Sequence, residues 1–449
     1  MAIRPMRAFL FVCGCLAAIS ACGNDSDPGP DGASGNFPPP RVIPGGGIGD
    51  GAIDGVVNLY VIDDATRSPI ANAAVRVGAL DGTTDATGLF VANDVHGAQT
   101  IVAKASGYRS EVWIGANGAN ITVDLLAGNA ATPDHATVTG QIAGWTGLTV
   151  PTGHAKVGVV GYSQLDDLGD AANEIATPND GNVCITVGAT DPCPFTLQTR
   201  TGKLALIASV FDRDLKGTPG DPNDDTMTLI GWAARQGVST TANATVTGQD
   251  LTLVAGGSQA TITVNFGAPP SALATVAGLV GVDIGDEGVI QLPSLVTPTQ
   301  SSFLAPKLGA FANATGYRLT GFASDGQATP AAQSVVLRRG QTGPAIDAGT
   351  WLAPPTGATA SRTTASWSNV AGATVHGIEY QQGATRVLNV TILDGSTQLT
   401  LPDLITLPSG SLTVEITGIG APGLDLGNFS LDADRDKLAQ AAGATVQVN

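Results

Sequence analysis

Charge, aromatic rings and helix-forming patterns are all scarce in this sequence of 449 residues, and each scarcity removes a class of protein. Only 13% of residues are charged, and long stretches rich in Glu, Lys, Leu and Arg, from which helical patterns are built, are missing. Aromatic residues at 5% are too sparse for a dense sugar-stacking surface. The four histidines, His96, His135, His154 and His376, have no metal-spaced partner in sequence, so an HExxH zinc motif is absent. There is no GxSxG elbow either: Ser163 follows Gly161-Tyr162, but Leu165 stands where the second glycine is required. No apolar run reaches the roughly 20 residues that a membrane-spanning helix needs. Basic residues are outnumbered, 21 against 38 acidic, for a net charge of −17. Such a surface repels phosphate backbones and excludes nucleic acid as a partner. It also keeps a protein soluble.

What is abundant is glycine (59 residues), proline (27) and a hydrophobic fraction of 43% dominated by small and β-branched side chains. This is the composition of short strands joined by tight turns, with enough apolar surface for real cores. The expectation is an all-β chain of tandem β-sandwich domains. Two carboxylates converging for glycoside hydrolysis stay open as an alternative, because any two acids of a sandwich can meet in space.

At the N-terminus Arg4 and Arg7 precede an apolar run from Ala8 to Ile19, and then Ile19-Ser20-Ala21-Cys22. The run has the length of a secretory h-region with a small-residue cleavage site behind it. The pattern resembles the lipobox of bacterial lipoproteins. That resemblance implies a signal peptide over 1–21, a lipid on Cys22 and a membrane as partner through the anchor. Gly23 is not the aspartate that resembles an inner-membrane retention signal in Gram-negative lipoproteins, which favours the outer membrane. The alternative is an ordinary signal peptide with a chance cysteine. With Cys13 and Cys15 removed and Cys22 lipidated, Cys184 and Cys193 remain. Two thiols close in sequence in an exported protein imply a disulfide, contributing about 2.5–3 kcal/mol by loop closure.

Residues 22–51 are rich in Gly, Pro and Asp, including Pro38-Pro39-Pro40 and Gly45-Gly46-Gly47, and read as a spacer. In 52–128, alternation at Ala73, Val75 and Val77 gives a half-buried strand. Ser68-Pro69-Ile70-Ala71-Asn72-Ala73, Thr84-Asp85-Ala86-Thr87-Gly88 and Ala105-Ser106-Gly107-Tyr108 are similar to the carboxypeptidase regulatory-like domain. That resemblance implies a transthyretin-like sandwich without catalytic residues. Residues 129–254 form a second unit, with Leu204 to Val210 apolar throughout and therefore buried on both faces. Residues 255–352 are again strand-like. Residues 353–449 resemble a fibronectin type III sandwich through Pro354-Pro355, Ser366-Trp367 and Leu407-Pro408-Ser409-Gly410, although Leu412 stands where that family has its corner tyrosine.

The candidate metal site is an acidic, Gly/Pro-bent stretch, with Asp212, Asp214, Asp221, Asp224 and Asp225 as oxygen ligands for structural Ca2+. The alternative is a solvated acidic turn damped by Arg213 and Lys216. Asp432-Ala433-Asp434-Arg435-Asp436 begins like an EF-hand loop, but Lys437 and Gly443 stand where glycine and glutamate are needed, so it reads as a polar loop. Trp113, Trp232 and Trp367 sit in strand patterns and read as core, whereas Trp145, between glycines, reads as exposed. No catalytic motif stands out. The expected role is non-catalytic, in display, adhesion or scaffolding of an envelope protein, or else in binding a polysaccharide or peptide.

Overall fold

A computed structural model describes residues 38–128, 134–165, 183–185, 192–216, 225–255, 258–327 and 331–449. Among them the chain is all β. Its helical content is three 3-10 turns of three residues each, at Gly285–Glu287, Leu308–Ala310 and Arg435–Lys437.

Four large hydrophobic cores lie among the described residues. The first lies between a sheet built on strands Gly47–Gly49, Asn120–Leu125, Asp54–Asp63 and Leu89–His96 and a layer of Ser110–Ala116, Gln99–Lys104, Ala74–Val77 and Leu80–Thr83. Its turns follow from local chemistry. The Asp85 carboxylate accepts the backbone N–H groups of Thr87 and Leu89, and Gly88 takes the positive φ of +75° that closes the turn. The Tyr108 hydroxyl, just after Gly107, donates to Asp63 at 2.8 Å.

In the last unit, strands Thr359–Ala360, Thr364–Ser366 and Gln398–Thr400 form one layer. Gln440–Val448, Leu412–Gly420, Val375–Gln382 and Thr385–Ile392 form the other, with Trp367, Tyr380 and Ile416 between them. In the second unit, strand Gly202–Asp214 serves two cores, as its unbroken apolar run requires. Leu204, Leu206, Ala208 and Val210 enter that unit's own core, while Ala205 and Ile207 enter the core of the third.

The units are not beads on a string. A single twelve-stranded sheet runs from Val289–Val296 through the third unit, across the last unit and on into the first, ending at Leu80–Thr83. The joints are the antiparallel pairing of Ala332–Gln341 with Gln440–Val448 and the parallel pairing of Thr385–Ile392 with Ser110–Ala116. Hydrogen-bonded strands thus continue across the expected boundary at 352/353, and residues 52–128 pair with residues from the far end of the chain.

Two other expectations change. Residues 38–51 of the expected spacer are packed against the body rather than loose. Ile43 and Ile48 are buried, and Gly47–Gly49 pairs with Asn120–Leu125 on one side and Phe429–Ser430 on the other. The triple glycine permits this close approach, since a Cβ on Gly47 would stand 2.1 Å from the Phe429 carbonyl oxygen. Trp145 is only 1% exposed, contrary to its expected exposure. The flanking glycines turn the chain inward there, and the Lys156 ammonium caps the ring at 5.0 Å while donating to the carbonyls of Trp145 and Leu148.

Candidate functional site

A buried row of ionisable side chains lies where the first and last units join the long sheet. Cross-strand register fixes it. Glu415 stands opposite Glu379, Glu379 opposite Asn389, and Asn389 opposite Glu111, so four polar residues form one row across four adjacent strands. None is more than 5% exposed. Alternation sends their neighbours Ile378, Tyr380, Val390 and Val112 to the other face, into the last unit's core.

The row is tied by charge-assisted bonds. Arg109 approaches Glu111 at 2.6 Å and Glu379 at 3.5 Å, and Arg386 lies 3.3 Å from Glu379. Asn389 donates to Glu111 at 2.8 Å, and Gln381 donates to Glu379. At the far end Gln333, from the third unit, donates to Glu415 at 3.4 Å, as does the Thr417 hydroxyl. Gly443 makes that reach feasible, because a Cβ there would stand 3.0 Å from Glu415 Oε1. Burial pushes the Glu111 carboxyl up to about 7 despite Arg109. Burial, reinforced by the facing Glu379, pushes Glu415 up to about 8. Glu379 is also raised by burial, with Arg386 and Arg109 opposing.

The network continues into the first unit. Asp64 is raised to about 8 by burial and by its hydrogen-bonded neighbour Asp124, itself raised by burial. Arg67 bridges Asp64 and Asp432, 3.3 Å from each, and so links the first unit to the C-terminal loop. Apart from Asp432, which opens the loop that begins like an EF-hand, none of these acids stands out in sequence. The signal that could have found the glutamates is a single acidic residue inside a strand pattern, as in Ser110–Ala116, Val375–Gln382 and Leu412–Gly420.

A second polar feature lies on the surface. Two adjoining clefts of about 530 and 380 Å3 open where the N-terminal segment meets the loop after Ala421, and Arg41, Asp425 and Asn428 line both. Asp50 and Asn117 complete the larger one. Asp50 accepts from Arg41 at 2.5 Å and from Asn120 at 2.6 Å, and the Arg41 bond holds its carboxyl below the usual range.

The residues singled out in sequence are dispersed. Cys22 lies outside the described residues. Cys193 is buried and disulfide-bonded. Of Cys184 only the backbone is described, in strand Val183–Ile185. Of the candidate calcium ligands, Asp221 and Asp224 lie outside the described residues. The other three each face a basic side chain of the protein. Asp212 and Asp214 flank His154 at 2.7 and 3.5 Å, Asp214 also takes Lys216 at 2.5 Å, and Asp225 takes Arg213 Nε at 2.6 Å. Among the described residues no cluster of three or more acids, histidines or cysteines is arranged to hold a metal ion. Trp113, Trp232 and Trp367 are core residues, as expected.

No protein-family model matches the chain, and no curated protein matches it. Among solved structures, the chain is similar to the C-terminally truncated tip fimbrial protein Mfa3 of Porphyromonas gingivalis, at 12% identity over 45% of this chain and 81% of that one, with a TM-score of 0.18. A tetra-tandem repeat from the extending region of a large adhesion protein aligns at 14% identity over 88% and 99% of the two chains, with a TM-score of 0.13. A Ca2+-stabilised adhesin with which an Antarctic bacterium binds ice aligns at 10% identity over 89% and 98%, also at 0.13. At these scores the likeness carries no argument about this chain.

Proposed function

We propose that the protein is a non-catalytic structural module of a bacterial cell envelope, tethered to the outer membrane by a lipid on Cys22 and presenting its β-sandwiches for adhesion or for scaffolding an envelope partner. The observation that carries this reading is where the shifted carboxylates sit. Glu379 and Glu415 do converge, as a glycosidase pair must, but both are pushed upward, where that chemistry needs one carboxyl raised and its partner ionised. They are also 1% and 5% exposed and are spent on joining three units of one sheet. A glycosidase pair must instead flank a sugar and a water in an open cleft. The units on either side keep the immunoglobulin-like and transthyretin-like roles that their motifs suggest, and a Cys184–Cys193 disulfide staples the second.

The test is fractionation. Wild type should pellet with outer membranes, C22A should appear in the aqueous fraction, and globomycin should cause a larger precursor to accumulate. Hydrolysis of an envelope polysaccharide by the purified protein, abolished by E379Q, would overturn the non-catalytic reading.

A second reading, binding of a hydroxyl-rich polysaccharide, is favoured by the open clefts, whose Asp425, Asn428 and Arg41 offer both donors and acceptors. Retention on immobilised polysaccharide that disappears in N428A would support it.

A further inference from the structure

We propose that the Glu415–Glu379–Asn389–Glu111 row is a proton-loaded seam: a proton held between Glu415 and Glu379 fastens the last unit to both of its neighbours in the sheet, and losing it loosens both joints together.

The argument begins with register. Residues directly opposite on antiparallel strands bring their Cβ atoms to about 4.5–5.5 Å, where like charges repel. Glu415 and Glu379 stand in that relation, nearly sealed from water. Water therefore cannot screen them, and an unneutralised carboxylate in such a place is costly.

The groups facing the row supply too little positive charge. Arg109 serves Glu111 first and Glu379 at longer range, and it also lies in the field of Asp64 and Asp124. Arg386 serves Glu379. Glu415 is met by the neutral Gln333 amide and Thr417 hydroxyl, with Arg386 acting from a distance. Gln381 and Asn389 are neutral, and Asp124 adds repulsion at Glu111. Three glutamates thus share two guanidiniums, and a proton makes up the difference. The upward displacement of all three carboxyls agrees with this geometry.

The consequence follows from where the row ends. Gln333 belongs to Ala332–Gln341, whose pairing with Gln440–Val448 is one joint, and Glu111 belongs to Ser110–Ala116, whose pairing with Thr385–Ile392 is the other. For an acid that binds its proton more tightly when folded, stability declines as pH rises from the unfolded value of 4.5 and has been lost once pH passes the folded value of about 8. Charging Glu415 sets two carboxylates against each other at the centre of the row, and the strain falls on the strands that carry it.

Hydrogen exchange of the full chain at pH 6 and pH 9, corrected for intrinsic rates, tests this. In wild type, Ala332–Gln341, Gln440–Val448, Thr385–Ile392 and Ser110–Ala116 should lose protection on the order of tenfold or more at pH 9, while His135–Ala143 and Cys193–Arg200 in the second unit hold theirs. E415Q, which keeps the shape and removes the titration, should hold the joints at both pH values. E379Q serves the same purpose if E415Q does not fold. Wild-type joints equally protected at both pH values would overturn the proposal whatever the variants do, and so would a loss spread evenly over the molecule or an E415Q profile matching wild type.

Discussion

His376 and Glu379 lie three residues apart on one strand and face opposite sides of the long sheet, with opposite responses to acid. The imidazole packs 5.5 Å from the Trp367 ring, 3% exposed, and neither ring nitrogen has a hydrogen-bond partner among the described residues. Burial lowers its pKa from 6.5, so the folded protein holds it neutral. A base depressed in this way leaves stability intact at neutral pH and removes it as pH falls through and below about 6.5. H376F, which fills the same space without a titrating group, should melt higher than wild type at pH 5, with the advantage shrinking toward pH 7.5. Trp145 gives a second residue-scale test. Its ring fills the second core and supports Lys156, so W145A should cost about 3–5 kcal/mol in urea unfolding. Its neighbourhood explains why sequence reasoning misplaced it. Glycines beside a tryptophan look the same whether the turn points the ring to solvent or to the core, and the tie to Lys156 on the next strand is not visible from them.

At the scale of the element, the segment from Pro38 to Gly49 works as a strap. Asn120 accepts the Arg41 N–H at 3.1 Å and donates to the Pro39 carbonyl at 3.2 Å, and Thr122 accepts the Ile43 N–H at 2.8 Å. Each bond joins a backbone group of the strap to a side chain of Asn120–Leu125, and that strand in turn pairs with Gly47–Gly49. N120A should leave these groups partly unpaired and cost about 1–3 kcal/mol, with earlier proteolysis before residue 50 as the readout. G47A should release the strap more completely, because its Cβ would collide with a backbone carbonyl and its φ of +149° is one that side chains disfavour. Strands with strong alternation were legible in the sequence. The alternation at Ala73, Val75 and Val77 is met by strand Ala74–Val77, with Val75 and Val77 buried. The strap was not legible, since Gly and Pro mark a segment without its own periodicity and say nothing of a distant strand that could hold it.

At the scale of the whole molecule, the all-β class was readable and the connection of the sheets was not. Local alternation tells how many faces a strand buries, but a parallel contact such as Val112 beside Val390 joins residues far apart in sequence and leaves no local trace. The shared sheet makes the units interdependent. A chain ending at residue 352 would leave Ser110–Ala116 and Ala332–Gln341 as open sheet edges. It should therefore aggregate in size-exclusion chromatography, whereas independent sandwiches would stay monomeric.

The place of Gly47–Gly49 between Asn120–Leu125 and Phe429–Ser430 sets an order of assembly. In synthesis Gly47–Gly49 can meet Asn120–Leu125 long before Phe429–Ser430 has been made to cover its other side. Completion from the N-terminus onward is thereby ruled out. Every molecule therefore passes through a stage with this sheet unclosed, which ends only when Phe429–Ser430 is in place.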